Sequence, residues 1–175
     1  IMYSEMQELN GLKLSFAGLE KNEEYEDNLL KFSICIGDSA QKLPKFRVDF
    51  DTLSGTVSYY SGSNPYGNLT AIAEDDILKY KNLHGHPFEV LFGVNDAGDV
   101  TVTFTLGQRK ITGIIPKKFR DLYLNGENVY FGISSSNRSG YFSVALTGIE
   151  KMYTLTFLKN RFNKGEMLVP QDAEY

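Results

Sequence analysis

Alternation of apolar and polar residues is the feature that most constrains the fold of this sequence. In residues 100–106 every second residue is apolar and the others are threonine. Successive side chains of a β-strand point to opposite faces, so this pattern predicts a strand with one face on a core and the other in water. Residues 46–51 repeat the pattern, with Phe46, Val48 and Phe50 on one face and Arg47, Asp49 and Asp51 on the other.

Strand-like segments dominate the chain and are separated by turns. Turn-forming residues at 51–55, 95–99 and 135–140 can each reverse the chain into a hairpin, because Asn, Asp and Ser bond their own backbone and Gly accepts positive φ. Short helical segments are predicted only at 73–80 and 116–123. Many short strands joined by turns predict an all-β, antiparallel two-sheet β-sandwich. The predicted strands are 31–37, 46–51, 56–60, 88–94, 100–106, 110–115, 129–134, 141–146 and 153–158.

Composition limits the class of protein. The 175 residues show no compositional break, which predicts a single domain over residues 1–175. No apolar run is long enough for a membrane span, and a net charge of −4 argues against a nucleic-acid-binding surface. Cys35 is the only cysteine in the sequence, which excludes an internal disulfide.

Three segments between residues 46 and 150 resemble the concanavalin A-like jelly roll, in particular the L-type lectins. They are 48–52 followed by Asn64-Pro65-Tyr66, the hairpin 88–104, and 129–136 followed by 140–148. The resemblance implies a lectin-like jelly-roll fold and a metal site in the first segment. Position 49 holds Asp where those lectins usually have Glu.

Asp49 and Asp51 are the candidate metal ligands. Alternation places both carboxylates on one face of a strand, where they could share a hard cation such as calcium. Calcium takes six or more oxygen ligands, and the sequence identifies two of them. The alternative is an exposed strand whose acids face water.

The candidate ligand-binding segment runs from Tyr59 to Asn68 and contains three tyrosines, two asparagines and two serines. Aromatic rings stack on the apolar faces of sugars, while amide and hydroxyl groups bond sugar hydroxyls. The alternative is an ordinary Ser/Gly/Asn loop beside a strand whose tyrosines are partly core. The candidate ligand-binding residues are Tyr59, Tyr60, Ser63, Asn64, Tyr66 and Asn68.

No catalytic motif is found: the sequence shows no phosphate loop, nucleophile elbow, zinc-protease helix or dinucleotide fingerprint. The leading hypothesis is therefore a non-catalytic carbohydrate-binding module, such as the receptor-binding head of a surface adhesin or viral spike, with a glycan or glycoprotein receptor and an extracellular location. The alternatives are a structural or protein–protein interaction sandwich without a sugar site, and a glycoside hydrolase of the same superfamily. The oligomeric state is left open.

Overall fold

The computed structural model describes residues 2–6, 9–21, 31–37, 46–61, 69–118, 129–136, 142–159 and 163–170. Within these residues the chain forms twelve strands, a 3₁₀ turn at Asp76–Leu78 and a one-turn helix, α1, at Tyr80–Leu83, and residues 117 and 118 are also helical. The strands are β1 (Met2–Met6), β2 (Leu12–Lys21), β3 (Lys31–Gly37), β4 (Phe46–Asp51), β5 (Thr56–Ser61), β6 (Leu69–Glu74), β7 (Phe88–Val94), β8 (Val100–Leu106), β9 (Arg109–Ile115), β10 (Val129–Ser136), β11 (Phe142–Lys159) and β12 (Asn163–Pro170).

The strands form two six-stranded antiparallel sheets. The first sheet has the order β1-β10-β3-β4-β5-β6, and the second has the order β12-β11-β2-β7-β8-β9. This arrangement confirms the predicted all-β two-sheet sandwich. In the part of the chain that the structure describes, no helix has the length and apolar character needed to cross a membrane.

Every predicted strand coincides with an observed one, although residues 142–146 and 153–158 belong to the single long strand β11. The sequence pattern missed β1, β2, β6 and β12. In β2 the alternation breaks at Gly18, which has a φ of +127°, because Gly18 and Leu19 are both buried. A bulge of this kind hides a strand from a search for strict alternation.

The first helical prediction, residues 73–80, was correct in part. Residues 73 and 74 belong to β6 and pair with β5, because they close the edge of the first sheet. In this first segment, helical geometry is found in the 3₁₀ turn and from Tyr80, where α1 begins. Of the second predicted segment, residues 117 and 118 are helical, and residues 119–123 lie outside the described residues.

Phenylalanine rings from both sheets form the centre of the core. Phe32 and Phe50 of the first sheet stack with ring centroids 4.5 Å apart. Phe88 of the second sheet stacks on Phe16 at 4.8 Å and on Phe104 at 5.1 Å. Phe32 and Phe88 meet across the sandwich at 5.7 Å, and Phe50 meets Phe104 at 6.0 Å. These contacts fix one sheet against the other.

The β4–β5 hairpin is closed by a tight turn at residues 51–55, as the sequence predicts. The amides of Leu53 and Ser54 donate to Oδ1 of Asp51, at 3.1 Å and 3.3 Å. Gly55 has a φ of +82°, and a Cβ there would lie 2.6 Å from the Asp75 carbonyl oxygen. The turn therefore needs both the Asp51 carboxylate and the missing side chain of Gly55.

Asp51 also forms an ion pair with Lys31, whose Nζ lies 3.0 Å from Oδ2 of Asp51. Burial alone would raise the pKa of Asp51, but the hydrogen bonds from Lys31, Ser54 and Leu53 outweigh it and lower the pKa below its ordinary value of 3.8. The ionised carboxylate is therefore favoured in the folded state.

We expect Phe88→Ala to lower the free energy of unfolding by about 3–5 kcal/mol, because it removes a ring that contacts both sheets and leaves a cavity. Urea denaturation of the whole chain measures this. The matched control is Leu53→Ala at an exposed turn position, for which we expect a change within about 0.5 kcal/mol. Equal effects of the two substitutions would contradict the central role of the ring cluster.

We expect Asp51→Asn to make the free energy of unfolding less dependent on pH at acidic pH. Because the folded-state pKa is lowered, the contribution of Asp51 is present above its unfolded-state pKa and is lost as pH falls through the folded-state pKa. The variant should be less stable than the original chain at pH 7, by at most about 1 kcal/mol since the ion pair is partly exposed, and the difference should shrink between roughly pH 5 and pH 2.

Denaturation at a series of pH values tests this expectation. Asp96→Asn is the control, because Asp96 is exposed and has no hydrogen bond or ion pair to any residue that the structure describes. A difference between Asp51→Asn and the original chain that stays constant down to pH 2 would show that the carboxylate charge plays no part.

Candidate functional site

The outer face of the first sheet, the face turned away from the core, carries a polar array. Alternation places Arg47, Asp49 and Asp51 of β4 on this face, because Val48 and Phe50 are buried in the core. The register with the neighbouring strands then sets three rows across β3, β4 and β5. The rows are Lys31–Asp51–Thr56, Ser33–Asp49–Ser58 and Cys35–Arg47–Tyr60, and we call these nine residues the polar array.

Asp49 lies at the centre of the polar array. Its Oδ1 accepts a hydrogen bond of 2.7 Å from the hydroxyl of Ser33. The same oxygen lies 2.7 Å from Nε of Arg47, which makes an ion pair. Although Asp49 faces away from the core, it is only 9% exposed. A carboxylate held from two sides on a strand is fixed in orientation.

Arg47 lies between Asp49 and the aromatic ring of Tyr60. Its guanidinium carbon sits 4.6 Å from the centroid of the Tyr60 ring, which is cation–π geometry. The Nε N–H is not directed at Asp49, so the ion pair includes no hydrogen bond, and buried Nε has no other hydrogen-bond partner among the described residues. The Arg47 side chain is 37% exposed. The terminal nitrogens can therefore donate to a molecule that approaches from solvent.

Charges in the polar array balance. Arg47 pairs with Asp49 and Lys31 pairs with Asp51, so two cations neutralise two carboxylates. The lowered pKa of Asp51 keeps its charge in place. An array of this kind offers donors and acceptors without a net charge, which suits an uncharged polar ligand better than an anion or a metal ion.

The predicted metal ligands Asp49 and Asp51 do share one strand face, as alternation requires. Each is engaged by a different cation. Within the residues described, no group of three or more His, Cys, Asp and Glu side chains could hold a metal ion. The calcium site therefore stays a prediction.

The predicted ligand-binding residues fall into three groups. Tyr59 is 4% exposed and packs in the core, since consecutive residues of β5 face opposite ways, so its ring has no face for a ligand. Tyr60 is on the outer face, in the polar array, and is 8% exposed. The remaining four lie outside the described residues: Ser63, Asn64, Tyr66 and Asn68.

Sequence reasoning missed Arg47, Ser33 and Ser58 as candidate site residues. The alternation of β4 already places Arg47 beside Asp49, so a signal for Arg47 was present. Ser33 and Ser58 carry no such signal, because only the register of β3 and β5 against β4 brings them next to Asp49.

Comparison with solved structures finds lectin sandwiches. Sheep galectin-11 in complex with glycerol matches with a TM-score of 0.51 and 12% sequence identity, covering 85% of this chain and 95% of that one. Chicken galectin 2 matches with a TM-score of 0.43 and 11% identity, over 80% of this chain and 96% of that one. Winged bean acidic lectin in complex with methyl-α-D-galactose matches with a TM-score of 0.44 and 12% identity, covering 78% of this chain and 70% of that one.

No protein-family model matches the sequence, and no curated protein matches it significantly. At 12% identity the match to galectin-11 establishes the fold and leaves the chemistry of the site to this chain's own residues. The chain has the jelly-roll β-sandwich fold of the lectins, as the resemblance of residues 46–150 implied.

Proposed function

We propose that this protein is a non-catalytic carbohydrate-binding module whose site is the polar array on the outer face of the first sheet. The observation that carries the proposal is the Arg47–Asp49 pair, fixed by Ser33 on one side and by the Tyr60 ring on the other. A sugar offers neighbouring hydroxyl groups, each of which both donates and accepts hydrogen bonds. An oriented donor beside an oriented acceptor matches such a pair of hydroxyls.

Two groups of this pair have no partner among the residues that the structure describes, and we assign them to the proposed ligand. Oδ2 of Asp49 makes no hydrogen bond or ion pair with the described residues, because Ser33 and Arg47 both contact Oδ1. The terminal nitrogens of Arg47 are likewise without partners in the described part of the chain. A hydroxyl that donates to Oδ2 and a neighbouring hydroxyl that accepts from Arg47 would complete both groups.

Binding without catalysis fits the electrostatics of the same residues. Hydrolysis of a glycosidic bond requires a carboxylic acid that keeps its proton near neutral pH, which means a raised pKa. Asp51 has a lowered pKa. Asp51 is therefore poorly suited to act as a general acid, which favours the binding module over a hydrolase that would use this residue.

The proposal extends to the partner and the location that the sequence suggested. We propose a glycan or glycoprotein receptor on another surface, with this chain exposed outside the cell or on a virion, and with segment 61–68 contributing further contacts beside Tyr60. The glycosylation-acceptor triplets at residues 68–70 and 137–139 are compatible with that location.

We expect Arg47→Ala and Asp49→Asn each to weaken glycan binding at least about tenfold, since the first removes the donor and the second removes the charge of the acceptor and its ion pair with Arg47. A glycan array with the purified chain identifies the ligand, and calorimetric titration of the best glycan measures the loss. Lys110→Ala is the matched control, because Lys110 is an exposed cation on the second sheet. If Arg47→Ala and Asp49→Asn both bind the glycan with unchanged affinity, the polar array is not the binding site.

The same glycan array, run once with calcium and once with a chelator, tests whether binding depends on calcium. Binding that is equal in calcium and in chelator would exclude a metal role for Asp49 and Asp51. Binding that is abolished by chelator and restored by calcium, and lost in Asp51→Asn, would instead establish the predicted metal site. We expect the first outcome, because both carboxylates are already paired with cations.

A further inference from the structure

Strand β6 continues the outer face of the polar array by one more strand. In the register of β5 with β6, Tyr60 lies opposite Leu69 and Ser58 lies opposite Ala71. Residues directly opposite each other in an antiparallel pair have their side chains on the same face of the sheet. Tyr60 and Ser58 belong to the polar array, so Leu69 and Ala71 lie on the same face, next to it.

Leu69 and Ala71 present apolar surface to solvent. The Leu69 residue is 50% exposed, and Ala71 is exposed as well. The next two residues of β6, Ile72 and Ala73, pack against the core instead, because the register of β5 with β6 shifts at this point. Leu69 and Ala71 therefore form a small apolar surface beside the polar array, which we call the apolar shelf.

The outer face of the first sheet thus changes from charged to apolar across three neighbouring strands. Strand β4 contributes the Arg47–Asp49 pair, β5 contributes the hydroxyl of Ser58 opposite Asp49, and β6 contributes the apolar shelf. Neighbouring strands lie about 4.8 Å apart, so the shelf lies roughly 10 Å from the charged pair. A pyranose ring bound at the charged pair reaches the shelf only through a substituent on the ring.

An N-acetyl substituent matches the order of groups on this face. It consists of an amide next to the ring, followed by a methyl group. The amide can form a hydrogen bond with the hydroxyl of Ser58, which both donates and accepts. The methyl group can then lie on the apolar shelf, which removes apolar surface of both partners from water. A hydroxyl group placed against Leu69 would instead lose its hydration without gaining a partner there.

We propose that the glycan bound by the polar array contains an N-acetylhexosamine, whose acetyl methyl group lies on the apolar shelf. This inference rests on the proposed function, because the hydroxyls of the same sugar bind Arg47 and Asp49. Leu69 then determines the specificity of the site, since its exposed side chain distinguishes an acetylated sugar from one without the methyl group.

Two sugars that differ by one methyl group test the proposal on the whole chain. The probes are the methyl glycosides of N-acetyl- and N-formylhexosamine, in both the gluco and the galacto series. Each keeps the amide, and only the N-acetyl form carries the methyl group. NMR titration measures the dissociation constants. In the series that binds more tightly, we expect the N-acetyl form to bind about fourfold more tightly than the N-formyl form, which corresponds to one buried methyl group.

Substitutions of Leu69 locate the methyl contact. Leu69→Ser should remove most of the preference for the N-acetyl form and leave the affinity for the N-formyl form unchanged, whereas Leu69→Ile keeps an apolar side chain and should keep the preference. Leu53→Ser is the matched control, because Leu53 is 51% exposed and lies in the turn at the opposite end of the β4–β5 hairpin. Far-UV circular dichroism confirms that each variant is folded.

The outcomes separate this inference from the proposed function. Equal affinity of the original chain for the N-acetyl and N-formyl forms would overturn the inference, and so would a preference that Leu69→Ser leaves unchanged. The proposed function survives both results if a glycan still binds and Arg47→Ala weakens that binding. Binding only to glycans without N-acetylhexosamine likewise overturns the inference alone, whereas a glycan array without any signal overturns both.

Discussion

The contact between Phe32 and Phe88 is the interaction on which the rest of this molecule depends. One ring belongs to the first sheet and the other to the second, and each stacks on further rings within its own sheet. Antiparallel sheets can be built in many relative positions, and interlocking side chains select one of them. The ring cluster therefore sets where the middle strands of the first sheet lie, and with them the polar array.

Strand β4 fixes the positions of the central residues of the polar array, because one face of the strand packs in the core and the other carries the polar side chains. Val48 and Phe50 are buried in the core, while Arg47, Asp49 and Asp51 occupy the opposite face. Because alternate side chains share one rigid backbone, the core residues hold the polar residues in place. A ligand that meets groups on such a strand has little conformational entropy to remove from the protein, in contrast to a ligand bound by a loop.

Much of the fold follows from the sequence, and the reason is physical. Strands such as β8 can be recognised from the sequence. One of their faces is buried and the other faces water, so apolar residues recur at every second position. Strand β2 escaped detection because Gly18 interrupts that recurrence. Residues 73–80 looked helical because acids precede an apolar pair, but edge pairing with β5 takes precedence over local propensity at residues 73 and 74.

The candidate site was harder to predict because it depends on pairing between distant segments. A single strand shows which of its residues share a face, and this was enough to group Asp49 with Asp51. It does not show that Ser33 and Ser58 stand beside Asp49, since their positions follow from hairpin register across 16 and 9 residues. Tyr59 shows where composition misleads. The tyrosine-rich composition of the segment predicted that both Tyr59 and Tyr60 bind a ligand, whereas strand alternation places only Tyr60 on the outer face. For a sheet protein, strand register is thus the information that converts a list of polar residues into a site.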